Sequence, residues 1–300
     1  MNGMILVAGG TGTLGSHLVP LLRGRGAPVR VLTRDPAKAR HLLRDGVEVV
    51  AGDVRDPGSL ARAIDGVSTV VSAVHGFVDS RKTSPEAVDW LGNRNLVQAA
   101  KNAGAGHVVM LSALGAAPDH PMSLYRMKHR AEEELKASGL AWTIIRASAF
   151  MEMWAKMVAE PLLKTGKTTI FGRGRNPINF VSIHDVARFV DLAIADPSLR
   201  GQTVDVGGPE NLTFRQVVEI AQRETGARGT VRHVPLPMMR ALSVLMKPVN
   251  PGFARQVQAG VVMDTHDMSF DGAARGRRFP SIPLTTYAEV VRRDFPRRSR

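Results

Sequence analysis

The segment Met4–Gly15 constrains the fold more than any other part of the chain. It reads Met-Ile-Leu-Val-Ala-Gly-Gly-Thr-Gly-Thr-Leu-Gly. An apolar run leads into Gly9, Gly12 and Gly15, spaced G-x-x-G-x-x-G, and a helical pattern follows. This order predicts a strand, a tight turn and a helix N-terminus. Glycine permits positive φ and lets a ligand approach the backbone closely. Free N–H groups and the positive end of the helix dipole then make the turn a diphosphate site. Contacts are expected at Gly9, Thr11, Gly12, Thr13, Leu14 and Gly15.

Strand and helix signals alternate beyond the turn. Strands are predicted at Ile5–Ala8, Val29–Leu32, Val47–Ala51, Thr69–Ser72, His107–Leu111 and Trp142–Ile145. Helical stretches lie between them, at Leu14–Arg25, Pro36–Leu43, Ser59–Ile64, Pro85–Asn102 and Ser123–Ser138. Asp35-Pro36 is a helix start, with Asp at the N-cap and Pro at the first helical position. The strands are Val/Ile-rich runs, as expected when both faces are covered. Alternating β and α elements imply an α/β Rossmann fold with a doubly wound parallel sheet. The rhythm loosens after Ser148, which divides the chain into a core over 1–148 and a smaller C-terminal lobe over 149–300. The lobe mixes late sheet strands with helices: a helix over Phe150–Leu163, a strand at Asn179–Ile183 and a helix at Asp185–Ala195 with Asp185 as N-cap. A strand at Thr203–Val206, a Thr-capped helix at Thr213–Thr225 and a broken helical region over Pro235–Val262 complete it.

Composition excludes several functions. The 300 residues contain no cysteine, so disulfides, thiolate metal sites and thiol nucleophiles are ruled out. No metal site is expected. No apolar run approaches about 18 residues, the length of a membrane span, and the first residues lack a signal-peptide pattern. A cytoplasmic protein without membrane contact is expected. The net charge of +13 invites a nucleic-acid reading. However, the basic residues are scattered and lack the interleaved aromatics that stack bases. Only Arg275–Arg300 concentrates them, and it reads as a solvated tail. No specific nucleic-acid partner is expected.

Arg34 ends the second strand, where a dinucleotide fold meets the adenosine ribose. An acid there suits NAD, whereas an Arg accommodates the 2′-phosphate of NADP. NADP(H) is therefore expected over NAD(H). Asp53 at the end of the third strand either meets the adenine, together with Val54, or caps a turn. Ala73 and Val74 end the fourth strand with small side chains that leave room for the cofactor. His75 follows as a substrate contact, a proton donor or a structural residue. Phe150, Met151, Met153, Trp154 and Met157 form either an apolar substrate-lining stripe or core packing. Gly172–Asn176 is a lid or a surface turn.

These motifs, with Gly52-Asp53-Val54, Val108-Val109-Met110-Leu111-Ser112, the Lys128…Glu132 helix, Trp142–Arg146 and Val181–Ala187, resemble the atypical short-chain dehydrogenase/reductases, in particular the NmrA-like NAD(P)H-binding branch. The resemblance covers roughly residues 1 to 225. It implies a nicotinamide near Ser112 and the Lys128 helix, with Ser112, Tyr125 and Lys128 as catalytic candidates. The family's Tyr stands four residues before the Lys; here Leu124 occupies that slot and Tyr125 is three before. One residue is about 100° around a helix, so Tyr125 is turned from the usual acid position. Lys128 retains the role of holding the nicotinamide ribose. Reducing a simple ketone needs a proton for a basic alkoxide, whereas a quinone, enone or iminium gives a stabilised product. The expected function is an NADPH-dependent oxidoreductase acting on a small conjugated or aromatic acceptor. Two alternatives remain: a non-catalytic NADP(H) redox sensor that signals to a protein partner, and an epimerase or isomerase.

Overall fold

Apolar runs separated by amphipathic stretches bury both strand faces only if helices cover the sheet on each side. The computed structural model, which describes residues 3–43, 45–77 and 83–297, takes this arrangement. In chain order come β1 (Met4–Ala8), α1 (Gly15–Gly24), β2 (Val29–Thr33), a 3₁₀ turn entering α2 (Arg40–Leu43), β3 (Glu48–Ala51), α3 (Pro57–Ile64) and β4 (Val67–Ser72). A π-helical turn at Glu86–Trp90 enters α4 (Leu91–Asn102), followed by β5 (His107–Ala113), α5 (Ser123–Lys136) and β6 (Trp142–Ala147). Next are β7 (Ala149–Phe150), α6 (Met151–Thr165), β8 (Lys167–Phe171), β9 (Ile178–Val181), α7 (Ile183–Ala195) and β10 (Gln202–Val206). The chain ends with β11 (Asn211–Leu212), α8 (Phe214–Thr225), β12 (Thr230–Val234), α9 (Leu236–Leu245), α10 (Pro251–Thr265), α11 (Gly272–Arg278) and α12 (Tyr287–Asp294).

Among the described residues the central sheet has seven strands in the order β10-β6-β5-β4-β1-β2-β3. β1 pairs in parallel with both β2 and β4, setting Ile5 against Val29 on one side and Thr69 on the other. This is the doubly wound Rossmann sheet expected from the sequence. Strand order reverses between β1 and β4, and ligands of such sheets bind outside the carboxyl ends at that reversal. Leu6, Val70, Val108 and Ile144 of the strands pack with Leu60, Leu96 and Leu135 of the helices in one core.

The chain forms two compact units. The first runs to Arg146 and also takes Val186–Asp205; the second comprises Ala147–Asp185 and the chain from Val206 onward. The single boundary at 148 is thus corrected: β10 hydrogen-bonds beside β6 in the central sheet, so its segment belongs with the first unit. The second unit has its own core, including Met151, Val158, Phe180, Phe214, Val217 and Tyr287. It holds a small sheet ordered β11-β9-β7 and a parallel β8–β12 pair, strands too short for a clear local pattern.

Two further expectations change in the second unit, and the choice between lid and turn at Gly172–Asn176 is narrowed to the turn. Asp185 is not an N-cap, because α7 already starts at Ile183; its buried carboxylate accepts from Thr285 N and Oγ1, both at 3.0 Å. The stretch from Arg275 is not a solvated tail. Arg275 is buried and donates to Pro283 O at 3.0 Å, and Tyr287, Val290 and Val291 of α12 enter the core; residues 298–300 lie outside the described residues. Gly172–Asn176 is tied down, with Gly174 N and Arg173 Nε donating to the buried Asp264 carboxylate at 2.9 and 3.0 Å. Thr213 caps α8 as expected, in a capping box with Gln216. Among the described residues no helix is long and apolar enough to cross a membrane.

One buried polar pair in the first unit gives the fold a pH dependence. His107 Nε2 lies 3.0 Å from Thr143 Oγ1, whose own proton goes to Leu199 O at 2.9 Å. The imidazole must therefore donate from Nε2. Burial, with the Arg200 charge adding to it, pushes the ring down to about 4. The folded state favours neutral His107, so this share of stability is complete above the unfolded pKa of about 6.5 and is lost as pH falls towards 4. Urea unfolding is expected to show a decline of about 3 kcal/mol across that window. His107→Gln should flatten it; an unchanged slope in that variant would refute the assignment.

Candidate functional site

The glycine turn is built as a cradle. Gly9 has φ +88°, and a Cβ there would stand 2.7 Å from Ala73 O, at the β1–β4 reversal. A Cβ on Gly10 would meet Val31 Cγ2 at 2.7 Å, and one on Gly15 would land on Gly9 O and Gly10 Cα. Gly12 N closes the turn by donating to Gly9 O at 2.9 Å. The α1 N-terminus has no side-chain cap and no acid in its first turn. Thr11, Gly12 and Thr13 are exposed at this positive end. The residues present fit a diphosphate. Leu14 is buried, so only its backbone is available to a ligand.

The second positive edge lies at the ends of β2 and β3. Arg34 is exposed, and Thr33 Oγ1 lies 3.4 Å from Thr11 Oγ1. Asp53 is engaged locally: its Oδ1 accepts from Arg55 N at 2.9 Å, and the Arg55 guanidinium grips both oxygens. Arg55's hydrogen bond, against burial and with a smaller share from Arg34, holds the Asp53 carboxyl below its usual range. Of the two roles open to Asp53, the turn-capping one is present. Val54 is a core side chain against Gly92 rather than an open surface. Arg55, which sequence reasoning passed over, stands with Arg34 about the same carboxylate.

A buried polar network lies at the carboxyl ends of β4, β5 and β6. The π-helical turn before α4 places Asp89 and Asn93 inside. Such turns shift the phase of a helix and concentrate at functional sites. Asp89 is fully buried; its Oδ1 lies 3.0 Å from Lys128 Nζ and its Oδ2 accepts from Gly76 N at 2.9 Å. His75 Nδ1 stands 3.5 Å from the same Oδ1. Burial opposes the charge on Asp89, but Lys128 and then His75 outweigh it and keep the carboxyl below its usual range.

Lys128 Nζ donates to Val74 O at 3.1 Å and to Leu111 O at 3.0 Å, and its charge stands 3.0 Å from Asp89 Oδ1 as an ion pair. Ser112 Oγ donates to Glu132 Oε1, and Glu132 is itself paired with Arg146, whose Nε lies 2.9 Å from Oε1. Ser112 is left as an acceptor, not a donor to a substrate oxygen. The Tyr125 ring stacks on His120 at 4.1 Å and 11°, and burial pushes its hydroxyl up to about 12.

In the second unit, Met151 is fully buried and Trp154 packs on Phe214 at 4.9 Å, both within or against that unit's core. Core packing accounts for them; Phe150 is half-buried at the start of α6. Asp89 is the residue that sequence reasoning missed. Its signal was a polar pair, Asp89 and Asn93, four residues apart on the face otherwise formed by Val88, Gly92, Leu96 and Ala100.

Comparison with known proteins places this geometry in context. A family model described as NAD(P)H-binding matches residues 9–197. The NAD(P)H azoreductase of Xenophilus azovorans is 35% identical over 240 residues, covering 79% of each chain. The photosystem II assembly factor Ycf39 of Synechocystis is 30% identical over 237 residues, 79% of this chain and 72% of its own. The NADPH-dependent quinone oxidoreductase of Escherichia coli, solved with NADPH, shares the fold with a TM-score of 0.78, at 24% identity over 97% of this chain and 99% of its own.

Proposed function

The chain belongs to the NAD(P)H-binding family, and from that premise we propose that it is an NADPH-dependent reductase passing hydride to a small conjugated or aromatic acceptor. The observation that carries the reading is the Lys128–Asp89 network at the sheet edge, beside a glycine turn shaped for a diphosphate and without a tyrosine aligned to the lysine. Conjugated acceptors yield stabilised anions and place the least demand on an acid. The name of the azoreductase relative points the same way, since an azo bond is a conjugated acceptor.

The bound dihydronicotinamide would supply the hydride. Thr11, Gly12 and Thr13 would bind the diphosphate through the α1 N-terminus, and Arg34 with Arg55 would receive the 2′-phosphate. Lys128 braces the segments after β4 and within β5 through Val74 O and Leu111 O, where Ala73 and Val74 would leave room for the cofactor. Arg34→Ala is expected to weaken NADPH about 10- to 100-fold, from the loss of charge-assisted phosphate bonds, while leaving NADH nearly unchanged. Fluorescence titration of both cofactors checks this, and equal effects would refute the role.

A second reading, a non-catalytic NADP(H) sensor, draws on the engaged donors of Lys128 and on a relative named as an assembly factor. Following NADPH absorbance across quinone, azo, enone, iminium and ketone acceptors separates the two. Turnover of conjugated acceptors supports the reductase. Tight NADPH binding with no turnover on any acceptor supports the sensor, and turnover of unconjugated ketones alone would overturn the acceptor class.

A further inference from the structure

We propose that His75 and the buried Asp89 form a proton-delivery dyad, His75 as the catalytic acid and Asp89, paired with Lys128, as its positioning residue. The inference rests on the reductase reading and names the proton source that the displaced tyrosine leaves open. The other candidates at the sheet edge are engaged. Tyr125 is stacked on His120, Ser112 gives its proton to Glu132, and Lys128 donates to Val74 O and Leu111 O while ion-paired with Asp89. His75 differs from all of them, with a side chain 48% exposed against 5% for Lys128. Its ring can exchange protons with water.

Its position follows from two anchors. His75 lies two residues beyond Ala73, whose carbonyl abuts the diphosphate turn at Gly9. Asp89 grips the same loop twice, through Gly76 N at 2.9 Å and across 3.5 Å to His75 Nδ1. Gly76 admits no side chain, since a Cβ would stand 2.6 Å from Thr83 O and 2.8 Å from Val88 Cβ, so the loop is held tightly against the π turn. The 3.5 Å separation is long for a hydrogen bond, as catalytic contacts often are without substrate. The ring also rests on Phe77, with centroids 5.9 Å apart.

A carboxylate facing Nδ1 orients the imidazole, stabilises its protonated form and leaves Nε2 to carry the transferable proton. Among the described residues the charged groups that face His75 are Asp89 of the π turn and, through it, Lys128 of α5. Lys128 keeps Asp89 from becoming a lone buried anion when His75 is neutral. The bound dihydronicotinamide would supply the hydride, its C–H bond breaking as one end of the acceptor gains the hydrogen and the acceptor's π pair moves to the other end. That end takes the proton from His75 Nε2, the N–H bond pair staying on the ring. Neutral His75 then regains a proton from water.

The test uses the full chain and has two arms. In the first, the ring nitrogen shifts of neutral His75 are read by NMR in the cofactor-free protein, with His75→Gln for assignment. Wild type is expected to hold the tautomer protonated at Nδ1, facing Asp89, and Asp89→Asn to lose that preference; an unchanged tautomer in folded Asp89→Asn protein overturns the dyad whether or not the chain turns over. In the second, His75→Gln is assayed at pH 7 with acceptors of graded product basicity. Quinone turnover should fall less than about threefold, and azo or enone turnover roughly 100-fold. Should Asp89→Asn fail to fold, this arm decides alone. A uniform loss across acceptors, or none, overturns proton delivery by His75. Wild-type inertness to every acceptor instead overturns the reductase reading, and delivery with it.

Discussion

Lys128→Met is expected to destabilise the protein by about 3–5 kcal/mol, the cost of leaving a buried carboxylate without its partner. Asp89 is fully buried and Lys128 is its nearest cation, at 3.0 Å. Methionine matches the lysine stem in length but offers no donor. Val74 O and Leu111 O would lose their hydrogen bonds in the same substitution. Protonating Asp89 relieves part of the cost, so the gap from wild type should narrow on acidification. Adding Asp89→Asn should restore much of the loss, because a neutral amide next to methionine no longer leaves a buried charge. Urea denaturation of the two single variants and the double variant measures this cycle. A single-variant cost below about 1 kcal/mol, typical of an exposed pair, would mean that the carboxylate finds water or another cation.

Gly15→Ala is expected to abolish cofactor binding within measurable range, a loss of at least about 100-fold, because the anion site depends on the turn's close backbone approach. The added methyl would land on Gly9 O and Gly10 Cα, backbone atoms that cannot rotate aside as a flexible side chain would. The turn must open, and the N–H groups that line it would no longer converge. Overpacking of this kind costs typically 1–3 kcal/mol, so the variant should fold with a lowered Tm. Gly24→Ala in the same helix is the control, since nothing stands within 4 Å of its Cβ position and alanine is the better helix former. Fluorescence titration with NADPH and thermal unfolding distinguish the two. Normal binding by Gly15→Ala would show that the cradle is not the cofactor site.

Local patterns account for what was legible. The glycine spacing specified β1, the turn and α1, because Gly12 and Gly15 answer steric demands from the backbone of Gly9 and Gly10 within the same seven residues. Val/Ile runs and cap residues such as Asp35 and Thr213 located most of the first-unit elements and α8, since caps and periodicity act within one or two turns. The cradle and the Tyr125 offset were therefore readable, and so was the family.

Long-range partners decided the rest. Nothing near Val186 or Asp205 in the chain says that β10 will lie beside β6. Asp185 looks like a cap until Thr285, one hundred residues away, donates to it. Arg275 looks solvated until the core of the second unit closes over it. Lys128 looks like a free cation until a π turn nearly forty residues earlier delivers Asp89 to it. Residue spacing and backbone sterics alone specified the Rossmann sheet, the glycine turn and the loss of the tyrosine's place. Only the tertiary structure decided which polar groups are engaged and which proton is exposed, because burying a charge selects its partner by position in space rather than by distance along the chain.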